Sequence, residues 1–235
     1  MSTTCIPGTY NFRDLGGLPT AHGSTRRGLL LRSDALIDLG DDGLDALARL
    51  GVRTAIDLRE DNERRLDPPT VADGVTIHHQ PVLEGSFSID HHAGLSEIYA
   101  AIIDRCGGRL AAAVALLAAP GALPAVIFCS AGKDRTGLIT GLVLSALGVP
   151  DGIVAEEYAR TEAVMHGAFR EALIERSVRA GVNQQSIAVK LGSPASVMLA
   201  TLAHLQTRFG GAAEYLLEHG LTAAELQSLR DQLIS

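Results

Sequence analysis

AVIFCSAGKDRTGLITGLVLSALG, residues 125–148, sets two apolar runs on either side of seven residues, Cys129 to Arg135, that carry a thiol, an ammonium, a carboxylate and a guanidinium. The run before the cysteine follows Pro124 and is β-branched and aromatic without a polar break, as expected of a central strand buried on both faces. From Arg135 to Leu147 the chain is apolar nearly all round at helical spacing, which predicts a buried helix. A buried strand passing to a buried helix through a tight loop is the unit of an α/β fold, and ligands of such folds collect at that end of the strands.

The same rhythm extends outward. DDGLDALARLG (41–51) places Leu44, Leu47 and Leu50 three apart behind two aspartates and stops at Gly51, which predicts a short amphipathic helix; VRTAIDL (52–58) follows as a strand. VTIHHQPV (75–82) is a second strand, and residues 95–119 read as helix with an interruption expected at Gly107-Gly108. After Pro150 the pattern is helical throughout. Ser193 is expected as a cap with Pro194 at the first helical position, Gly210 as a stop, and Thr222 with Glu225 as a capping box. The expected architecture is one α/β domain over 1–235, with a short, mostly parallel central sheet flanked by helices. Residues 151–235 form its helical C-terminal extension, packed on the core or lying over it as a lid.

Composition narrows the function classes. The chain has 235 residues, 46% of them hydrophobic, and 27 acidic against 20 basic side chains give a formal charge of −7. That balance argues against a broad nucleic-acid footprint and against a polybasic membrane surface, while leaving room for a local basic pocket. Cys5, Cys106 and Cys129 are odd in number and scattered, so neither a disulfide framework nor a metal knuckle is indicated. With no signal-like segment at the N-terminus and no long uncharged apolar run, the expected location is cytoplasmic. No fixed-period repeat stands out.

The loop itself reads as an anion cradle. Ser130, Ala131 and Gly132 are small enough for the backbone to curl, so that several N–H groups and the helix N-terminus face one centre. Arg135 adds a planar two-pronged donor for two phosphate oxygens, and the same positive field favours the thiolate of Cys129. A nucleotide-binding GxxxxGK[ST] loop does not fit, because Ile127 stands five before Gly132 and Asp134 follows Lys133. An inert buried cysteine would leave Lys133, Asp134 and Arg135 in a buried turn without a task.

CSAGKDRT (129–136), a C-x5-R-[ST] loop, resembles the phosphate-binding loop of the protein tyrosine phosphatase superfamily. The CxxGKDRTG form is similar to its atypical bacterial tyrosine/serine phosphatases with lipid-phosphatase activity. NFRDLGG (11–17), LLRSDAL (30–36), IDLREDNER (56–64) and the C-terminal FGGAAEYLLEHGLTAAELQSLRDQLI (209–234) resemble that family's blocks in the same order, across nearly the whole chain. The resemblance implies a cysteine-phosphatase-like fold and a two-step phosphomonoester hydrolysis. Cys129 would form a phosphocysteine while Ser130, Ala131, Gly132, Lys133, Asp134 and Arg135 hold the phosphate, and water would then release it. It also implies a hydroxyl of Thr136 touching the sulfur; an ordinary helix-start threonine accounts for that residue equally.

The proton donor must be a carboxylic acid within reach of the ester oxygen. Asp57, at the end of a strand expected beside the loop strand, is assigned the larger role, with Asp134 orienting the site or water. Arg13, Asp14, Arg32, Arg59 and Glu63 are expected to be paired charges that shape the site, with Arg59 the best placed to touch substrate. Tyr99 and Tyr158 read as core or rim aromatics. Lys133 resembles the lysine of phosphoinositide phosphatase loops, where it would meet a second phosphate. Members of the superfamily usually carry His before the cysteine; Phe128 stands there, and a looser loop or less acidic thiol is expected. The histidine pairs His78-His79 and His91-His92 are not spaced as helix ligands, so no metal or other cofactor is expected. Phosphotyrosine protein is the first substrate class, with phosphoserine/threonine and phosphoinositides behind it. A phosphate-binding interaction module without turnover is the alternative.

Overall fold

Five strands define one sheet in the order β1-β4-β7-β5-β6, in a computed structural model that describes residues 6–83, 93–181 and 191–235. Cys5, His91 and His92 lie outside the described residues. The strands are β1 (Arg13–Asp14), β4 (Leu30–Ser33), β5 (Thr54–Asp57), β6 (Thr76–His79) and β7 (Ala125–Phe128); β2 (Pro19–Thr20) and β3 (Gly23–Ser24) pair separately. β4, β7, β5 and β6 run parallel, and β1 is antiparallel on β4. The mostly parallel α/β sheet expected from the sequence is therefore present, with β7 at its centre.

Every residue of β4, β5 and β7 is buried, as a sheet covered on both faces requires. Alternation along β7 divides the core: Ala125, Ile127 and Cys129 face the larger cluster, while Val126 and Phe128 face a smaller one with Leu31, Leu47 and Ala55. The register levels Ser33, Phe128 and Asp57 at the carboxyl ends of three neighbouring strands. The loops that follow them meet there.

The helices are α1 (Gly40–Arg49), α2 (Asp61–Leu66), α3 (Leu95–Arg105), α4 (Gly107–Ala118), α5 (Asp134–Ala146), α6 (Asp151–Ala159), α7 (Gly167–Arg179), α8 (Ala195–Phe209), α9 (Ala212–Glu218) and α10 (Ala223–Leu233). The break between α3 and α4 falls at Cys106, one residue before the expected glycines, and α4 starts on Gly107 itself. Pro194, rather than Ser193, caps α8, because the Ser193 hydroxyl and N–H both go to Glu162. Thr222 and Glu225 form the expected capping box at α10. Met198, Leu202, Tyr215, Leu226 and Leu229 of α8–α10 join the main core, so these helices cover it. α7 is attached differently, through a small cluster of Met165, Phe169 and Leu173 packed against Ala131 of the loop.

Candidate active site

Three successive carbonyls of the loop are tied down from behind. Ala35 N–H donates to Ser130 O at 3.3 Å, Asn11 Nδ2 to Ala131 O at 2.9 Å and Gly132 O at 3.1 Å, and an Arg32 guanidinium nitrogen to Gly132 O at 2.6 Å. In a trans peptide the following N–H points the other way, so the amides of Ala131, Gly132 and Lys133 face away from this bracing and toward one side of the loop. Gly132 makes the curl possible: its φ is +63°, and a Cβ there would stand 2.3 Å from Ser33 O.

The braces are themselves held by a buried charge network. Glu157 accepts from Arg13 Nε at 2.5 Å and from Arg32 at 2.7 Å. Burial alone would raise the Glu157 pKa, but the two guanidiniums outweigh it and the net shift is downward. Arg13 is lowered to about 10 by burial and by Arg32, against the pull of Glu157. Its guanidinium also reaches Asn11 and Thr161. Asp34 accepts from the backbone N–H groups of Tyr10 and Asn11 at 3.0 and 2.9 Å; burial still pushes its pKa up. Asp14 braces the chain through Gly16 and Gly28 N–H. NFRDLGG and LLRSDAL are thus the scaffold of the loop: Arg13 and Arg32 are paired charges as expected, whereas Asp14 is held by backbone N–H groups instead of a charged partner.

In front of the loop lies a cavity of about 280 Å³. Cys129, Ser130, Ala131, Asp134 and Arg135 line one side of it, and Leu95, Ile98, Tyr99 and Ile102 of α3 another. Cys129 is only 2% exposed. Arg135 is gripped by Glu63, one nitrogen on each carboxylate oxygen at 2.5 and 2.8 Å, and Ser130 Oγ also donates to that carboxylate. Burial would raise the Glu63 pKa, yet Arg135 and Ser130 bring it down to about 2. Burial likewise opposes charge on Arg135, but Glu63 and Cys129 together drive its pKa upward. Nη1 also donates to Leu58 O at 3.4 Å, so the fork held by Glu63 leaves Nε–H and the remaining Nη2–H for a second anion.

Several residues stand elsewhere than the sequence suggested. Asp57 is fully buried behind the loop and does not line the cavity; its oxygens accept from Arg59 N–H (3.1 Å), Nε (2.9 Å) and a terminal nitrogen (2.8 Å). A carboxylate so held, and buried away from the cavity, is not presented to an ester. Arg59 is withdrawn with it, 1% exposed, donating to Asp67 O and lying 5.5 Å over the Phe128 ring. Lys133 is also buried, with Nζ on Gly192 O at 2.9 Å and 3.3 Å from Asp134 Oδ1, so it does not reach out to a second phosphate. Thr136 Oγ1 is buried and has no hydrogen-bond partner among the described residues.

Of the two aspartates, Asp134 is the one that reaches the cavity, which Glu60 and Glu63 also line. Its side chain is 30% exposed, and Oδ1 accepts from Tyr99 Oη at 2.8 Å. Phe128, where the superfamily usually has His, points to the opposite face of the sheet; the loop is secured by Asn11, Arg32 and Ala35 rather than through that position. Asn11 and Glu60, both at the site, have no role assigned from sequence, although each sits inside a quoted block, NFRDLGG and IDLREDNER. Among the described residues, no three His, Cys, Asp or Glu side chains gather as a metal site.

Comparison with known proteins agrees with this geometry. A family model described as "Tyrosine phosphatase family" matches residues 4–235. The chain is 28% identical to the triple specificity protein phosphatase PtpB of Mycobacterium tuberculosis, over 100% of both chains. It is 29% identical to a tyrosine-protein phosphatase of Nostoc commune, over 88% of this chain and 76% of that one.

Proposed function

The chain belongs to the tyrosine phosphatase family and is a phosphoric monoester hydrolase, and we propose that it acts through a cysteinyl-phosphate intermediate, first of all on phosphotyrosine protein. The observation that carries this reading is the gathering of Cys129, Arg135 and Asp134 on one side of a single cavity, over a loop whose amides face one way.

Cys129 Sγ attacks phosphorus as a thiolate, and the P–O bond to the leaving group breaks with its electron pair going to oxygen. Asp134, as the carboxylic acid, gives that oxygen its proton. The loop amides and the free edge of Arg135 hold the equatorial oxygens, where charge redistributes in the transition state. Glu63 keeps the guanidinium in that orientation. In the second step Asp134 takes a proton from water, which attacks the phosphocysteine and restores the thiolate with release of inorganic phosphate. The unpartnered Thr136 hydroxyl is available to the departing sulfur. The apolar wall of α3 suits an aryl ester better than a polyhydroxylated one, and the buried Lys133 favours a single phosphate.

The name of the Mycobacterium relative makes wider specificity the comparison to run. Residues 1–235 act as one unit, in the cytoplasm, on phosphorylated substrates rather than nucleic acid. Among the described residues no helix is long and apolar enough to cross a membrane. The test is hydrolysis of p-nitrophenyl phosphate by wild type and Cys129→Ser, followed by a panel of phosphotyrosine peptide, phosphoserine peptide and phosphoinositide. Loss of turnover in Cys129→Ser with phosphotyrosine preferred in wild type supports the proposal. Turnover that persists in the serine variant refutes the cysteine route. Phosphopeptide binding without turnover in wild type would make the protein a recognition module.

A further inference from the structure

Two tyrosine hydroxyls stand in line behind the acid. Tyr99 Oη donates to Asp134 Oδ1 at 2.8 Å, and Tyr158 Oη lies 2.8 Å from Tyr99 Oη. Each hydroxyl has one proton to give. Since the Tyr99 proton goes to Asp134, the Tyr158 proton goes to Tyr99, and the chain runs in one direction from Tyr158 to the carboxyl group.

The arrangement is fixed from all sides. Tyr99 is fully buried, and its ring meets that of Tyr158 edge to face with centroids 6.1 Å apart. Gly137, in the first turn of α5, gives Tyr158 its place: a Cβ there would come within 2.9 Å of the ring. Burial, aided by Asp134 and Tyr158, pushes the Tyr99 pKa well above its ordinary value, and burial with Asp134 does the same for Tyr158. Both therefore remain protonated donors across any working pH. The charged and titratable groups facing this pair are Asp134, with Lys133 beside it from the loop, Arg32 from β4, and Glu162 after α6.

We infer that Tyr99, ordered by Tyr158, is a positioning residue for proton transfer: together with Lys133 it occupies Oδ1 of Asp134, so that the transferable proton is carried by Oδ2. Among the described residues no donor is placed on Oδ2. In the first step the proton on Oδ2 passes to the ester oxygen as the S–P bond forms and the P–O bond breaks; in the second, Oδ2 receives a proton from the attacking water. Oδ1 keeps the Tyr99 hydrogen bond and the Lys133 ion pair throughout, so the carboxyl group need not turn over between steps. This inference rests on Asp134 being the proton donor.

The leaving group separates this role from a packing role. p-Nitrophenolate departs with little help from an acid, whereas phenolate needs its proton. Tyr99→Phe keeps the ring on the cavity wall and is expected to lower kcat/KM, which reports the step in which the leaving group departs, roughly tenfold on phenyl phosphate, part of the 10²–10⁴ that a general acid supplies, with much less effect on p-nitrophenyl phosphate. Because the hydroxyl favours the ionised carboxylate, its loss should also carry the basic limb of the kcat profile to higher pH. In Asp134→Asn the added Tyr99→Phe should cost nothing further on phenyl phosphate. Equal losses on the two substrates with an unmoved pH profile, or full additivity in the double variant, would overturn the positioning role. If Asp134→Asn alone lacks leaving-group dependence, it is the assignment of the acid that fails.

Discussion

Glu63 and Arg135 face each other oxygen to nitrogen across the cavity wall, at 2.5 and 2.8 Å, each from the helix that follows a central strand, α2 after β5 and α5 after β7. Neither side chain is free to choose another rotamer without leaving a buried charge unpaired. Arginine is thus already oriented before any phosphate arrives.

Glu63→Gln keeps the shape of this contact and removes its charge. It is expected to lower kcat/KM by roughly tenfold to a hundredfold, chiefly by loss of a charge-assisted grip on the transition-state clamp. Steady-state kinetics on p-nitrophenyl phosphate read it directly; an unchanged kcat/KM would mean that Arg135 orients itself.

The same pair predicts a pH dependence of stability. Glu63 ionises at about 2 in the fold against an ordinary 4.5, so its stabilising contribution is present above the unfolded value and is lost as pH falls from about 4.5 toward 2. The full shift corresponds to on the order of 3 kcal/mol. Urea denaturation between pH 7 and 2.5 should show a shallower acid decline in Glu63→Gln than in wild type.

Asp57 and Asp134 should fail in different ways. Asp57→Asn breaks a buried pair with Arg59 and is expected to cost roughly 3–5 kcal/mol of stability, with the basic limb of the kcat profile left in place. Asp134→Asn should melt near wild type and lose the basic limb. Thermal melts run beside pH profiles distinguish the two; a vanished limb in Asp57→Asn would return the acid role to that residue.

Asn11→Ala removes the donor shared by two loop carbonyls. A destabilisation of roughly 1–3 kcal/mol is expected from carbonyls left without partners, together with a raised inhibition constant for inorganic phosphate as the cradle loosens. Stability lost with phosphate inhibition intact would confine Asn11 to packing.

Local pattern carried the strands β5, β6 and β7, the capping box at Thr222 and the phosphate loop into plain view, since each is written in consecutive residues. β4 was not evident as a strand because Arg32 interrupts its apolar run; that arginine is tolerated in the sheet by Glu157, 125 residues away. The choice between Asp57 and Asp134 turned on where Arg59 folds back, a side-chain geometry with no periodic signature. Tyr99 read as core for the same reason: nothing in α3 itself says that the helix lies over the loop. Phe128 was the reverse case, alarming in a motif but placed on the far side of the sheet.

The carbonyl ties of the loop come from Asn11, Arg32 and Ala35, nearly a hundred residues or more before the carbonyls they hold. Contacts of such sequence separation carry a large loop-closure entropy that only the folded chain repays. An anion that binds the cradle therefore meets only the completed chain and adds its whole binding free energy to the native state, as RT ln(1 + [L]/Kd). Inorganic phosphate becomes a reporter of foldedness as well as a product, and its effect on the melting temperature measures how much of the cradle exists before substrate does.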